Sequence, residues 1–288
     1  AGRDVTLLDC DVEEPNDHVF VRPDFNVTEP VKVLKPLWDA EKCNACGKCV
    51  EACHYNALAL AKKKLLMFPE LCHACGVCTY VCPDGAMSEQ PAVIGEVMLD
   101  ERSRPFVFGQ GLLNVGEPLS PAVVAGVKRH VDPHGITILD ASPGAACPVV
   151  EAARGSDVAL LVTEPTPFGL ADLKTAAALT LGLGIPTGIL VNRSEGEDEL
   201  IADWAAEVGV PILARIPFRR EYAEAYSRGE MLADAFPEVE RTVLEAFERA
   251  AAMAGHRAPS AAAAIAATRP TSESHGGNKK KLSGLKGK

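Results

Sequence analysis

The sequence predicts an α/β protein: a mostly parallel sheet with crossover helices, interrupted by a small cysteine-rich unit. Three observations predict it. Ile136–Asp140, Val158–Thr163 and Thr187–Asn192 are apolar, β-branched runs separated by helix-length segments, the signature of strands alternating with crossover helices. Eight of the ten cysteines crowd between Ala40 and Gln90, in a stretch with an internal repeat. The 288 residues, 47% hydrophobic, can bury a large core as one large domain or two ordinary ones.

Along the chain, Val5-Thr6-Leu7-Leu8 reads as a buried strand that delivers the carboxylates of Asp9-Cys10-Asp11 at its C-terminal end. A Pro-rich link follows, and structure is expected to restart at the cysteine-rich insert. Beyond the insert, Ala171–Leu183 and Glu199–Val208 look helical, and Glu238–Ala254 is a strongly amphipathic helix. From about Arg257, Ala, Pro, Ser and Gly take over and end in Lys279-Lys280-Lys281, so residues 257–288 are expected to be a disordered tail.

Composition excludes several function classes. No uncharged apolar run reaches the roughly 18 residues a membrane span needs, and Val158–Val162 is only strand-sized. A net charge of −10 argues against a nucleic-acid binder, which needs a basic face to neutralise phosphates. Clustered cysteines in a chain this long point to metal in a reducing compartment, hence a cytoplasmic protein, rather than to a disulfide scaffold.

Within the insert, Cys43, Cys46, Gly47, Cys49, Cys53 and Ala57 recur at constant offset as Cys72, Cys75, Gly76, Cys78, Cys82 and Ala86, a duplicated unit. Both runs read C-x2-C-x2-C-x3-C, the spacing in which three close thiolates hold one [4Fe–4S] cluster and the fourth ligates the other. Crossing the runs assigns Cys43, Cys46, Cys49 and Cys82 to one cluster, and Cys72, Cys75, Cys78 and Cys53 to the second. Two-residue gaps let a tight loop wrap a cubane corner, Gly47 and Gly76 permit the turn, and backbone N–H groups then face the sulfurs. Two zinc sites are the competing reading, but structural zinc favours two cysteine pairs separated by a longer loop, not four cysteines in one run. His54 stands where the second run has Pro83, and His54 and His73 are neighbours of the clusters, since the ligand count is complete without them. Cys10 and Cys147 stand apart, as small buried hydrophobes or, for Cys147, as a redox-sensitive contact.

Three further places could collect ligand groups in an open α/β sheet: Asp9-Cys10-Asp11, the turn Asp140-Ala141-Ser142-Pro143-Gly144, and Val191-Asn192-Arg193. Singly, an Asp at a strand end is more often a helix cap than a magnesium ligand. Together with Leu8–Asn16, Gly116-Glu117-Pro118, Ser120, Asp140–Pro148 and Thr163–Gly169, they make the chain resemble the MinD-superfamily P-loop ATPases that carry an inserted ferredoxin domain, relatives of the Mrp, ParA and nitrogenase iron protein group. The resemblance runs from Val5 to about Ala254. It implies a P-loop NTPase-type sheet in segments 1–38 and 92–256, with an inserted α+β bacterial ferredoxin-like domain at 39–91. It also implies ATP and Mg2+ as cofactors. Asp11 would position the attacking water, with Asp9 supporting the magnesium shell. Asp140 would hold Mg2+ through water, with Gly144 as the pivot near the γ-phosphate. Asn192 would read the adenine edge, and Ile216 and Pro217 would line the base pocket.

No G-x-x-x-x-G-K-[ST] phosphate cradle occurs; Gly109-x-Gly111 and Gly182-x-Gly184 lack the lysine. In the resembled family the cradle precedes a segment like 4–11, where this chain begins at Ala1 without a Met, so truncation is expected, and with it an incomplete sheet lacking one central strand. The functions to be separated are an ATP-gated electron-transfer protein with redox protein partners and a nucleotide-dependent homodimer, an Fe–S cluster carrier, and a plain two-cluster electron carrier on a silent ATPase scaffold.

Overall fold

The computed structural model describes residues 5–102, 105–196 and 198–255. The expected tail, 257–288, lies outside the described residues. Two sheets and a small hairpin carry the strands. The first sheet has the order β2-β5-β6-β1-β7, with β1 (Val5–Asp9) between β6 (Val107–Leu113) and β7 (Ile136–Asp140), parallel to both. Its other side is antiparallel: β2 (Val27–Trp38) pairs with β5 (Met87–Asp100), and β5 with β6. The second sheet is parallel throughout, in the order β10 (Ile212–Pro217), β9 (Thr187–Ser194), β8 (Ala159–Thr163). The hairpin joins β3 (Leu58–Ala61) to β4 (Lys64–Met67).

The Pro-rich link proves to be structured. It holds a helical turn, α1 (His18–Val21), and then the twelve residues of β2, which carry Pro30 and Pro36. A strand with two prolines lacks two ladder donors, and β2 tolerates this because it is the sheet edge. The pairing runs from Val27 opposite Leu99 to Trp38 opposite Met87, so β2 and β5 form a long ribbon. The cysteine-rich insert hangs from its far end, with short helices α2 (Lys48–Glu51) and α3 (Val77–Tyr80).

The first core lies on β1 and β5, where Leu8, Cys10, Val12, Ile94, Val97 and Leu99 are buried against Val123, Val124 and Val127 of α4 (Ser120–Lys128) and Ala152 of α5 (Cys147–Ala153). Gly109 is a packing glycine and no phosphate cradle: a Cβ there would fall 2.7 Å from the Leu99 side chain and 2.8 Å from that of Leu8. The second core joins Ile189 and Val191 of β9 to Leu173, Ala177 and Leu181 of α6 (Pro167–Gly182) and to Ile201, Trp204 and Val208 of α7 (Glu199–Val208). Helices α8 (Arg220–Ser227), α9 (Leu232–Ala235) and α10 (Pro237–Met253) complete the chain, α10 packing on β10.

The parallel strands thus fall into two sheets. β7 and β8 are both edges, and apolar residues on them, Ile138 and Val162, are 45% and 63% exposed. Phe20 against Tyr226, with ring centroids 5.0 Å apart, links α1 of the first half to α8 of the second. Among the described residues no helix is long and apolar enough to cross a membrane.

Candidate functional site

The duplicated sequence becomes a duplicated backbone. In each cysteine loop the residue before the second cysteine, Ala45 and Ala74, is left-handed at φ 60 and 50°. The glycine that follows that cysteine, Gly47 and Gly76, is left-handed at 79 and 74°. Glycine accepts this without penalty while the alanines adopt it against a steric cost, and the chain coils tightly enough to turn N–H groups inward. The Asn44 carboxamide oxygen accepts the Cys46 N–H at 2.9 Å and fixes the first loop. The Ala86 N–H points at Cys82 Sγ, 3.2 Å away, an amide-to-sulfur contact of the kind that stabilises a thiolate.

Cys43, Cys46, Cys49 and Cys82 surround one cavity, closed by Trp38, Leu60, Leu65, Ala86 and Met87. These four cysteines are the set reached by crossing the two runs. Cys49, Cys53, Cys78 and Cys82 also pack on a small core of Leu58, Leu65 and Met87, which brings the inner cysteines of both runs onto one apolar floor. Cys72 and Cys75 lie on the loop that enters α3, in the position Cys43 and Cys46 hold before α2. Burial pushes the thiols of Cys49 and Cys78 up, an effect that bound iron would reverse. Trp38 Nε1 is buried without a partner among the described residues, whereas the Thr79 hydroxyl hydrogen-bonds to Cys78. His73 stacks on Tyr55, with ring centroids 3.8 Å apart, and so holds a structural contact between the two repeats.

The second constellation is carboxylic. Asp9, at the end of β1, is buried, and its two oxygens accept the N–H groups of Asp11 at 3.0 Å, Asn16 at 3.0 Å and Asp17 at 3.2 Å. Asp9 therefore shapes the loop that follows it. That loop delivers Asp17 to Asp140, at the end of β7, and the two carboxyls share a hydrogen bond. Burial, then the charges of Asp140 and Asp9, pushes the Asp17 carboxyl up to about 7. Burial likewise raises Asp140, Asp9 and Asp11. The carboxyls raise one another by burial and mutual repulsion, and Asp17 Oδ2 has no hydrogen-bond partner among the described residues. Asp17 was not singled out by sequence; the available signal was its place after Pro15-Asn16 at the end of the matching segment.

Asp11 opens onto a cleft with Glu13, Glu14, Asn114, Gly116, Glu117, Ser142 and Pro143. Gly144, left-handed at φ 94° with open space where a Cβ would go, follows directly. Cys10 is buried, its thiol pushed up to about 12 by burial and by Asp9, whereas Cys147 is exposed. Asn192, Ile216 and Pro217 sit elsewhere, at the C-terminal ends of β9 and β10 in the second sheet. Asp198, buried at the start of α7, braces those ends by accepting from Ser194 Oγ at 2.7 Å and pairing with Arg215 at 2.9 Å. Arg193 reaches from β9 to Glu164, beyond β8, at 3.0 Å.

The 4Fe-4S dicluster domain family matches residues 42–86. Uncharacterised proteins MJ0578 and MJ0579 of Methanocaldococcus jannaschii are similar to the chain: the first is 27% identical over 85% of each sequence, the second 28% identical over 78% of each. Among solved structures, the Pyrococcus furiosus cell division ATPase MinD matches with a TM-score of 0.51 and 17% identity, over 88% of this chain and 87% of that one. Residues 42–86 are thus similar to the 4Fe–4S dicluster domains. The chain as a whole has a fold similar to that of the MinD ATPase.

Proposed function

We propose that the protein binds two [4Fe–4S] clusters, one on Cys43, Cys46, Cys49 and Cys82 and one on Cys72, Cys75, Cys78 and Cys53, and transfers electrons under the control of a nucleotide bound at the Asp9, Asp11 and Asp140 end of the sheet. The observation that carries the reading is the cavity formed by cysteines from both runs, which no arrangement of one run alone would produce. The clusters supply one-electron chemistry at low potential. The protein's own residues provide thiolates, exclude water with Trp38, Leu65 and Met87, and turn backbone N–H groups toward sulfur.

At the other end, the carboxylates of Asp11, Asp17 and Asp140 would suit Mg2+ in charge and donor type, since it takes hard oxygen ligands. Asp11 then orients water and Asp140 holds the metal shell, while Gly144 supplies a pivot that a side chain would stiffen. Asn192, Ile216 and Pro217 offer an amide edge and an apolar wall to an adenine base. Pairing of two copies on nucleotide would bring two cluster modules to one redox protein partner. A physical route between the two ends exists. Asn114 and Glu117, both in the cleft, bond to the ribbon that bears the cysteines: the Asn114 N–H donates to the Ile94 carbonyl at 2.9 Å, and Lys35 of β2 pairs with Glu117 at 2.6 Å.

Isothermal titration of Mg-ATP into the anaerobically reconstituted full-length protein tests the gating. The account expects saturable binding and a nucleotide-dependent change in the cluster spectra. Failure to bind would remove the nucleotide and leave a two-cluster electron carrier.

A further inference from the structure

We propose that the indole N–H of Trp38 donates a hydrogen bond to the cluster held by Cys43, Cys46, Cys49 and Cys82 and sets its reduction potential above the value the same cluster would have without that donor. The inference rests on the two-cluster reading.

Trp38 is the last residue of β2, locked opposite Met87, and the ladder continues one step further through the Asp39 N–H and the Ala86 carbonyl at 2.8 Å. Its ring packs on the Leu58, Leu65 and Met87 core and lines the same cavity as the four cysteines. Nε1 is buried and has no acceptor among the described residues. An indole nitrogen can only donate, and a buried donor without an acceptor is rare in folded proteins because it forfeits its hydration. The other polar residues on the cavity offer little: Asn44 Oδ1 is already committed to the Cys46 N–H, and Asp84 is exposed. Sulfur is the acceptor that the cavity is built to hold. A hydrogen bond to a cluster or thiolate sulfur withdraws negative charge and favours the reduced form, which raises the potential.

The duplication makes the effect one-sided. At the offset that carries Cys43 to Cys72, Trp38 falls on Met67, the last residue of β4, whose thioether has no proton to give. On the second side the Thr79 hydroxyl hydrogen-bonds to Cys78, and since it rotates and also accepts, it is not committed as the indole is.

The test is an anaerobic redox titration followed by EPR on reconstituted wild type, Trp38→Phe and Cys46→Ser. Cys46→Ser identifies which reduction wave belongs to the first cluster. The expected result is that Trp38→Phe moves that wave to more negative potential and leaves the other in place, with iron content unchanged. To separate the hydrogen bond from any loosening of the fold in Trp38→Phe, wild-type protein labelled with 15N in its indoles gives a second reading. Of the two tryptophans, Trp204 lies in α7 in the other core, so a 15N coupling to the reduced cluster in pulsed EPR comes from Trp38. An unmoved wave in Trp38→Phe, or no 15N coupling in wild type, overturns the proposal. Absence of any cluster after reconstitution would instead overturn the two-cluster reading itself.

Discussion

Asp17, its carboxyl pushed up to about 7 from an ordinary 3.8 by burial and by the charges of Asp140 and Asp9, ties stability to pH. Between those two values the folded chain holds a proton that the unfolded chain has released, so stability is full at low pH and falls as pH rises toward 7. Asp140, Asp9 and Asp11 are raised as well and act in the same direction. Asp17→Asn should therefore stabilise the metal-free protein at pH 8 by about 1–2 kcal/mol, allowing for screening of the solvent-facing part, and by much less at pH 4. Urea melts at the two pH values check this, and Mg2+ should raise the wild-type midpoint at pH 8 more than that of the variant. A variant that melts like wild type at pH 8 would show that the four acids do not strain one another. At this scale the cysteines were legible because cluster ligation is written in local spacing. Asp17 was not, because it meets Asp140 only after Asp9 has folded the intervening loop back through three N–H groups.

Between residue and domain stands the β2–β5 ribbon. The sequence pattern named β7 and α7 to the residue, since an isolated β-branched run and a clean 3.6-residue period leave little choice. It missed β2, because Pro30 and Pro36 read as a link and nothing local says that the strand is an edge. It also passed over β6, whose Gly109 and Gly111 are selected by close packing rather than by strand propensity. The Lys35–Glu117 pair is the ribbon's main charged tie to the cleft, with side chains only 12% and 19% exposed. Lys35→Met strands a half-buried carboxylate and should cost about 3 kcal/mol, whereas Lys35→Met with Glu117→Leu should recover most of that. Urea unfolding measures both, and hydrogen exchange at Val93–Leu99 should quicken in the single variant. If the single variant is as stable as wild type, the tie is only a surface contact and cannot transmit a change from cleft to clusters.

For the molecule as a whole, the α/β class and the parallel pairing within β8, β9 and β10 and around β1 followed from alternating strands and helices, while the antiparallel β2-β5-β6 side and the division into two sheets appear only in three dimensions. The residues proposed for the nucleotide are divided in the same way, acids on the first sheet and Asn192, Ile216 and Pro217 on the second, so the proposal depends on how the two halves meet around a ligand. The cluster unit has no such dependence, since both cysteine runs lie on one apolar floor. Its crossed ligation is the central claim, and serine variants read by EPR after anaerobic reconstitution test it most directly. The account predicts about eight iron and eight sulfide per wild-type chain. It also predicts that Cys82→Ser perturbs the same cluster signal as Cys46→Ser, and that Cys53→Ser perturbs the same signal as Cys75→Ser. Pairing of Cys82→Ser with Cys75→Ser, or a chain that takes up two zinc ions in place of iron and sulfide, would contradict it.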